Sequence, residues 1–200
     1  MSELVLYSKY LIFASIVVWL FTPIRQYKTR YFWFFLVLAL TDPIVTVVAK
    51  NFLIVASKLY VPFNVLFFFS LIDYKKITVY KILFYLTIIV LGYFSFIHVW
   101  EYGVFFFTAI LFLVLVLIIK QSFQFVIEKG SINIFHMALI FYQALNVFKS
   151  LSMLLNFSTG VWFYFISNVV QIFLGIFFAL YREDDPRFLV RVMGAKQVAD

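Results

Sequence analysis

The chain contains no cysteine. Disulfides, thiolate metal sites and cysteine nucleophiles are thereby excluded, and thiol chemistry says nothing about its compartment. Charge is scarce as well: Asp, Glu, Lys and Arg supply 12% of the 200 residues, against about a quarter in a soluble domain. Histidine occurs twice, at His98 and His136, too few for the di-metal centre of membrane desaturases and hydroxylases. The zincin, nucleophile-elbow, P-loop and dinucleotide-binding motifs are missing, which removes metalloprotease, serine hydrolase and nucleotide-driven chemistries. The last apolar segment carries no lysine for a retinal Schiff base. The second and third lack the dense acidic clusters of phospho-alcohol transferases. No catalytic residue, metal ligand or cofactor is assigned, and the chain does not read as an enzyme.

What remains is apolar. Hydrophobic residues make up 66% of the sequence, including 29 Phe and 13 Tyr. They fall into seven stretches near the roughly 20 residues needed to cross hydrocarbon as a helix: Leu4–Phe21, Tyr31–Ala49, Phe52–Ile72, Ile77–Ile97, Tyr102–Ile119, Ile132–Leu154 and Val161–Tyr181. Runs such as Phe105-Phe106-Phe107 do not alternate in polarity, so membrane strands are disfavoured and helices, which satisfy their own backbone, are expected. The fold class is therefore all-α: a polytopic membrane protein, a compact bundle of seven transmembrane helices. The first stretch follows Glu3 and has no small-x-small cleavage site after Phe21, so it is expected to be a retained helix. The polar break Lys120-Gln121-Ser122 is expected to end the fifth span, leaving Phe123–Ile127 as an interfacial stretch.

Twelve of the 16 cations cluster on one set of segment ends: Arg25, Lys28 and Arg30; Lys75, Lys76 and Lys81; Lys120 and Lys129; Arg182, Arg187, Arg191 and Lys196. Only Lys9, Lys50, Lys58 and Lys149 belong to the other side. The positive-inside rule then puts the N-terminus outside and the C-terminus in the cytoplasm. The net charge of +7 is a topology signal and an attraction to anionic lipid, with no nucleic-acid partner implied. The chain divides into a seven-helix domain, 1–181, and a short charged cytoplasmic tail, 182–200. The tail's Phe188, Leu189, Val192 and Met193 suggest a surface-lying helix. An integral location in the cell (inner) membrane is expected.

Polar side chains inside apolar helices are costly and tend to face the bundle interior. At 1.5 Å of rise per residue, Asp42, Lys58 and Asn168 each lie roughly 9–10 Å below the outer ends of their helices. Equal depth on adjacent segments marks Asp42 and Lys58 as an ion pair, near carbonyls freed by Pro43 and Pro62. The sixth segment aligns His136, Gln143, Asn146, Lys149 and Ser150 on one stripe, and the seventh aligns Tyr164, Asn168, Gln171 and Gly175. Asp42, Lys58, Gln143, Asn146, Lys149, Asn168 and Gln171 are thus the candidate ligand-binding residues. Leu111–Ile119, with no polar side-chain atom, is expected to face lipid on much of its circumference. Trp19, Trp33, Trp100 and Trp162 fall near span ends and read as an aromatic belt. His98 and Glu101 form an exposed pair at the outer end of the fourth segment.

Seven helices with the N-terminus outside allow a 3 + 1 + 3 plan. In plan alone this is similar to sugar-exporting and vitamin-uptake families and to the receptor that retrieves cargo to the endoplasmic reticulum. Phe68-Phe69-Ser70-Leu71 and Phe177-Phe178-Ala179-Leu180 give a faint internal echo. The Pro-Gln signature of the sugar exporters is absent, and no family is assigned. The expected function is a transporter or carrier of a small polar or anionic molecule. The rivals are a ligand sensor that signals through its tail to a membrane or cytoplasmic protein partner, and a membrane scaffold.

Overall fold

The computed structural model describes residues 2–52, 56–72, 78–97, 100–155, 157 and 160–191. Among them run seven helices: α1 (Ser2–Arg25), α2 (Phe32–Phe52), α3 (Ala56–Ser70), α4 (Val79–Ile97), α5 (Trp100–Lys129), α6 (Ile134–Leu154) and α7 (Gly160–Leu180). Two three-residue strands, β1 (Ser131–Asn133) and β2 (Leu189–Arg191), pair antiparallel beside them. Within the described residues, α2, α4, α6 and the stretch Gly103–Lys129 of α5 are long and apolar enough to cross a membrane; α1, α3 and α7 contribute shorter apolar stretches.

The helices close into a ring in the order α1, α2, α3, α5, α6, α7, with α7 returning to α1, while α4 packs outside against α3 and α5. The closing seam depends on Gly175. A Cβ there would lie 2.9 Å from Val18 Cγ1 and 3.1 Å from Trp19 Cε2, so only glycine lets α7 approach α1 this closely. The stripe that Gly175 shares with Asn168 and Gln171 in the sequence therefore splits: the amides face inward and the glycine faces α1.

One end of the bundle, here called the ribbon end, is filled by rings. Trp19 lies 4.8 Å from Tyr142 and 6.1 Å from Phe178, and Phe35, Phe135 and Phe178 pack mutually edge-on or tilted. Buried Trp19 is thus a core residue and corrects the belt assignment, whereas Trp33 and Trp162 are exposed. Pro23 cannot donate to the Trp19 carbonyl, and the Thr22 hydroxyl donates to it instead at 2.7 Å.

Two expectations about α5 are overturned. It runs unbroken through the polar triplet, because Gln121 is buried and its Nε2 donates to the Leu71 carbonyl at the end of α3, 2.7 Å away. The helix ends at Gly130, whose φ of 62° and N–H to the Val126 carbonyl form a left-handed cap. Nor does Leu111–Ile119 turn much of its circumference outward: Leu111, Val114 and Ile118 are buried, and only Phe112 and Val116 are exposed. The more exposed helix is α4, which presents large apolar side chains from Val79 to Ile97 along nearly its whole surface.

The tail is also corrected. Instead of a surface helix it forms a 3₁₀ turn, Pro186–Phe188, and then β2, with Ile132 opposite Val190. Phe188 packs on Tyr181 at 4.8 Å and on Phe177 at 5.6 Å. Val192 and Met193 lie outside the described residues, as do His98 and the side chains of Glu101, Trp100 and Tyr164.

Candidate functional site

In the half of the bundle away from the ribbon end, the ring encloses a partly open cavity of about 320 Å³. Its floor is the aromatic layer, through Phe34, Phe67 and Tyr142. Its walls come from five helices: Thr41 and Asp42 on α2, Tyr60 and Asn64 on α3, Phe107 and Leu111 on α5, Gln143, Asn146, Lys149 and Ser150 on α6, and Asn168 and Gln171 on α7. Six of the seven residues marked by sequence thus meet at one void, and its volume lies at the lower end of small-molecule sites.

The side chains are ordered by a chain of hydrogen bonds. Lys149 Nζ donates to Asn168 Oδ1 and to Gln171 Oε1, both at 2.8 Å. Gln171 Nε2 donates in turn to Asn146 Oδ1 at 2.6 Å. One lysine therefore fixes the orientation of two amides on the facing helix, and the second amide fixes a third. The i, i+3 spacing of Asn146 and Lys149 and the matching spacing of Asn168 and Gln171 place one helix face against the other. Gln143, below this layer, is buried and donates through Nε2 to the Leu111 carbonyl at 3.0 Å. It ties α6 to α5 while lining the cavity.

Across the void, the Tyr60 hydroxyl donates to Asp42 Oδ1 at 3.0 Å. The expected Asp42–Lys58 pair is not formed: Lys58 neither lines the cavity nor bonds to Asp42, although both residues are described. Depth along a helix sets height but not direction. Lys58 lies two residues before Tyr60, about 200° round an α-helix, whereas Asn64, four residues after it, returns to within about 40°. The cation that lines the cavity with Asp42 is Lys149. Among the described residues, neither of these two charges makes a salt bridge.

Thr41 and Asn64 bond to backbone carbonyls one helical turn back, those of Val37 and Tyr60. Both are buried and both line the cavity. Asn64, Tyr60 and Tyr142 carry little signal of their own in the sequence, because the chain holds 13 tyrosines and Asn64 stands singly among apolar residues. The i+4 relation of Tyr60 and Asn64 beside Pro62 was the available signal. His136, at the other end of the α6 stripe, sits at the ribbon end, where its Nε2 is 3.2 Å from Glu183 Oε1. Among the described residues no three His, Asp or Glu side chains gather in a metal-binding group.

No protein-family model matches the chain, and no curated protein or solved structure matches it either.

Proposed function

We propose that the chain is a seven-span membrane carrier that binds a small polar or anionic molecule in this cavity. The observation that carries the reading is the convergence of Asp42, Lys149, Asn146, Asn168 and Gln171 from three helices on one void in an otherwise apolar bundle. Glue between helices needs one or two amides per interface; a lysine bonded to two amides beside an empty volume exceeds that need. In this reading the N-terminus lies outside and the C-terminus in the cytoplasm, because Arg25, Arg30, Lys129, Arg182, Arg187 and Arg191 all belong to the ribbon end. The cavity then occupies the outer half, and the aromatic layer beneath it is the closed inner gate. Residues 1–181 form the membrane domain and 182–200 the cytoplasmic tail. The bilayer is that of the cell (inner) membrane.

A sensor is the second reading, favoured by one specific contact set. Glu183 accepts from the Arg30 backbone N–H at 3.1 Å and meets His136, so a change at the bundle could be passed to the tail. The two readings differ in whether the inner gate opens. The absence of native cysteine makes the test direct. Met153→Cys and Leu38→Cys each put a single thiol on the cavity, the second near its floor. A membrane-impermeant maleimide applied to sealed vesicles of either orientation should reach Met153→Cys from the outside and Leu38→Cys from both sides. Labelling of Leu38→Cys from the outer face alone, in every condition, rejects the carrier and leaves the sensor.

A further inference from the structure

Among the described residues the cavity is lined by one acid, Asp42, and one base, Lys149, which do not touch. Asp42 is met by a neutral phenol, Tyr60, and Lys149 by two neutral amide oxygens. Charges placed in a low-dielectric interior are held by a counter-ion or by a ligand that supplies one. Here the two opposite charges stand on α2 and α6, with the void between them as their common boundary. Closing the gap by direct pairing would empty the site. Leaving it open presents a negative wall and a positive wall to whatever enters. The bonds from Lys149 also consume the oxygen of Asn168, which leaves its amide nitrogen as a donor toward an anionic group.

We infer that the ligand of this cavity is a small zwitterion, its anionic group taken by Lys149 and Asn168 and its ammonium by Asp42 and Tyr60. This rests on the binding-site reading above and narrows it from "polar or anionic" to a molecule bearing both charges. Each charge is then paired at both ends, whereas a simple anion leaves Asp42 without a partner and a simple amine leaves Lys149 without one. A volume of about 320 Å³ limits the molecule to a short chain or single ring.

The test uses the full-length protein in detergent and its melting temperature. The probes are linear ω-amino acids from glycine to 6-aminohexanoate, which vary the charge separation, with pentanoate and pentylamine as analogues of 5-aminopentanoate lacking one charge. A ligand at about one hundred times its Kd should raise Tm by roughly 5–10 °C. One or more of the amino acids should do so, and the single-charge compound of matching length should bind at least about tenfold more weakly. Lys149→Met should remove the preference over the amine, and Asp42→Asn the preference over the carboxylate. Asp42→Asn preserves size and the bond to Tyr60, so its fold is retained. Equal shifts with pentanoate and 5-aminopentanoate overturn the zwitterion and leave a cavity that binds anions. No shift with any amino acid of the series also overturns it. Carriage itself is decided separately, by thiol access at Leu38→Cys.

Discussion

Lys149 shows how a single residue sets the character of a site. A lysine inside an apolar helix is expensive, so its neighbours must be chosen to receive it. Asn168 and Gln171 receive it with oxygens, and their orientation is then no longer free. The sequence spacing of these three residues was enough to bring them together, because amides at i and i+3 share a face in any α-helix. Asp42 was legible as an acid within an apolar helix but not as a partner of Tyr60, since matched depth carries no azimuth. Gly175 was legible only as part of a stripe. The close approach that requires it depends on Val18 and Trp19, more than 150 residues away. Gly175→Val should cost roughly 1–3 kcal/mol through overpacking, whereas Gly103→Ala, whose added Cβ meets its nearest neighbour at an ordinary 3.7 Å, should be near neutral. Thermal unfolding of the two variants in detergent provides the comparison.

At the scale of elements, α5 and the tail departed most from expectation. A run of Leu, Val and Ile satisfies lipid and protein neighbours equally well, so nothing in Leu111–Ile119 could reveal which side it faced. The helix turns out to be a structural centre, and α4, also apolar enough to cross a membrane, is the outer one. Ile118→Ala, at a fully buried position, should cost about 2–5 kcal/mol. Ile89→Ala, 49% exposed on α4, should stay within about 0.5 kcal/mol. Unfolding midpoints in the same detergent rank the two. The path of the tail was not legible because the contacts that dock it on the bundle are distant in sequence. Asn133 Nδ2 donates to the Glu183 carbonyl at 2.8 Å, and the Glu183 carboxylate meets both His136 and Arg30. Beyond it, Arg187 bonds to Asp185 through its guanidinium and its backbone N–H and holds that carboxyl down at about 2. The folded value is depressed, so this clasp is complete above the ordinary carboxylate range and is lost only as the pH falls toward that value. Glu183→Ala removes the central acceptor and should speed tryptic cleavage after Arg187 several-fold, while Glu183→Gln, which keeps an oxygen for Arg30, should have a smaller effect. Digestion rates in detergent, followed by mass, decide this.

Taken as a whole molecule, the chain separates chemistry from closure. Polar groups bonded between neighbouring helices line the void in one half, and interlocking rings fill the other. The apolar runs and the polar stripes were readable because a lipid environment penalises each misplaced group individually. The order of helices round the ring was not readable, since it follows from shape at seams such as Gly175 and from long-range amide bonds. Gln26 is the clearest of these. Its Nε2 donates to the carbonyls of Phe178 and Tyr181, at 2.9 and 2.6 Å, and its Oε1 accepts from the Glu183 backbone N–H at 3.3 Å.

That glutamine has a consequence for biogenesis. Gln26 and Phe178 are 152 positions apart, so at a translation speed of about 5–20 residues per second the ribosome delivers the second roughly 8–30 s after the first. Throughout that interval the Gln26 amide and the groove on α1 that receives Gly175 stay unmet. The ring is therefore an open arc until α7 emerges, and its closure waits on the segment that carries Gly175 and Phe178.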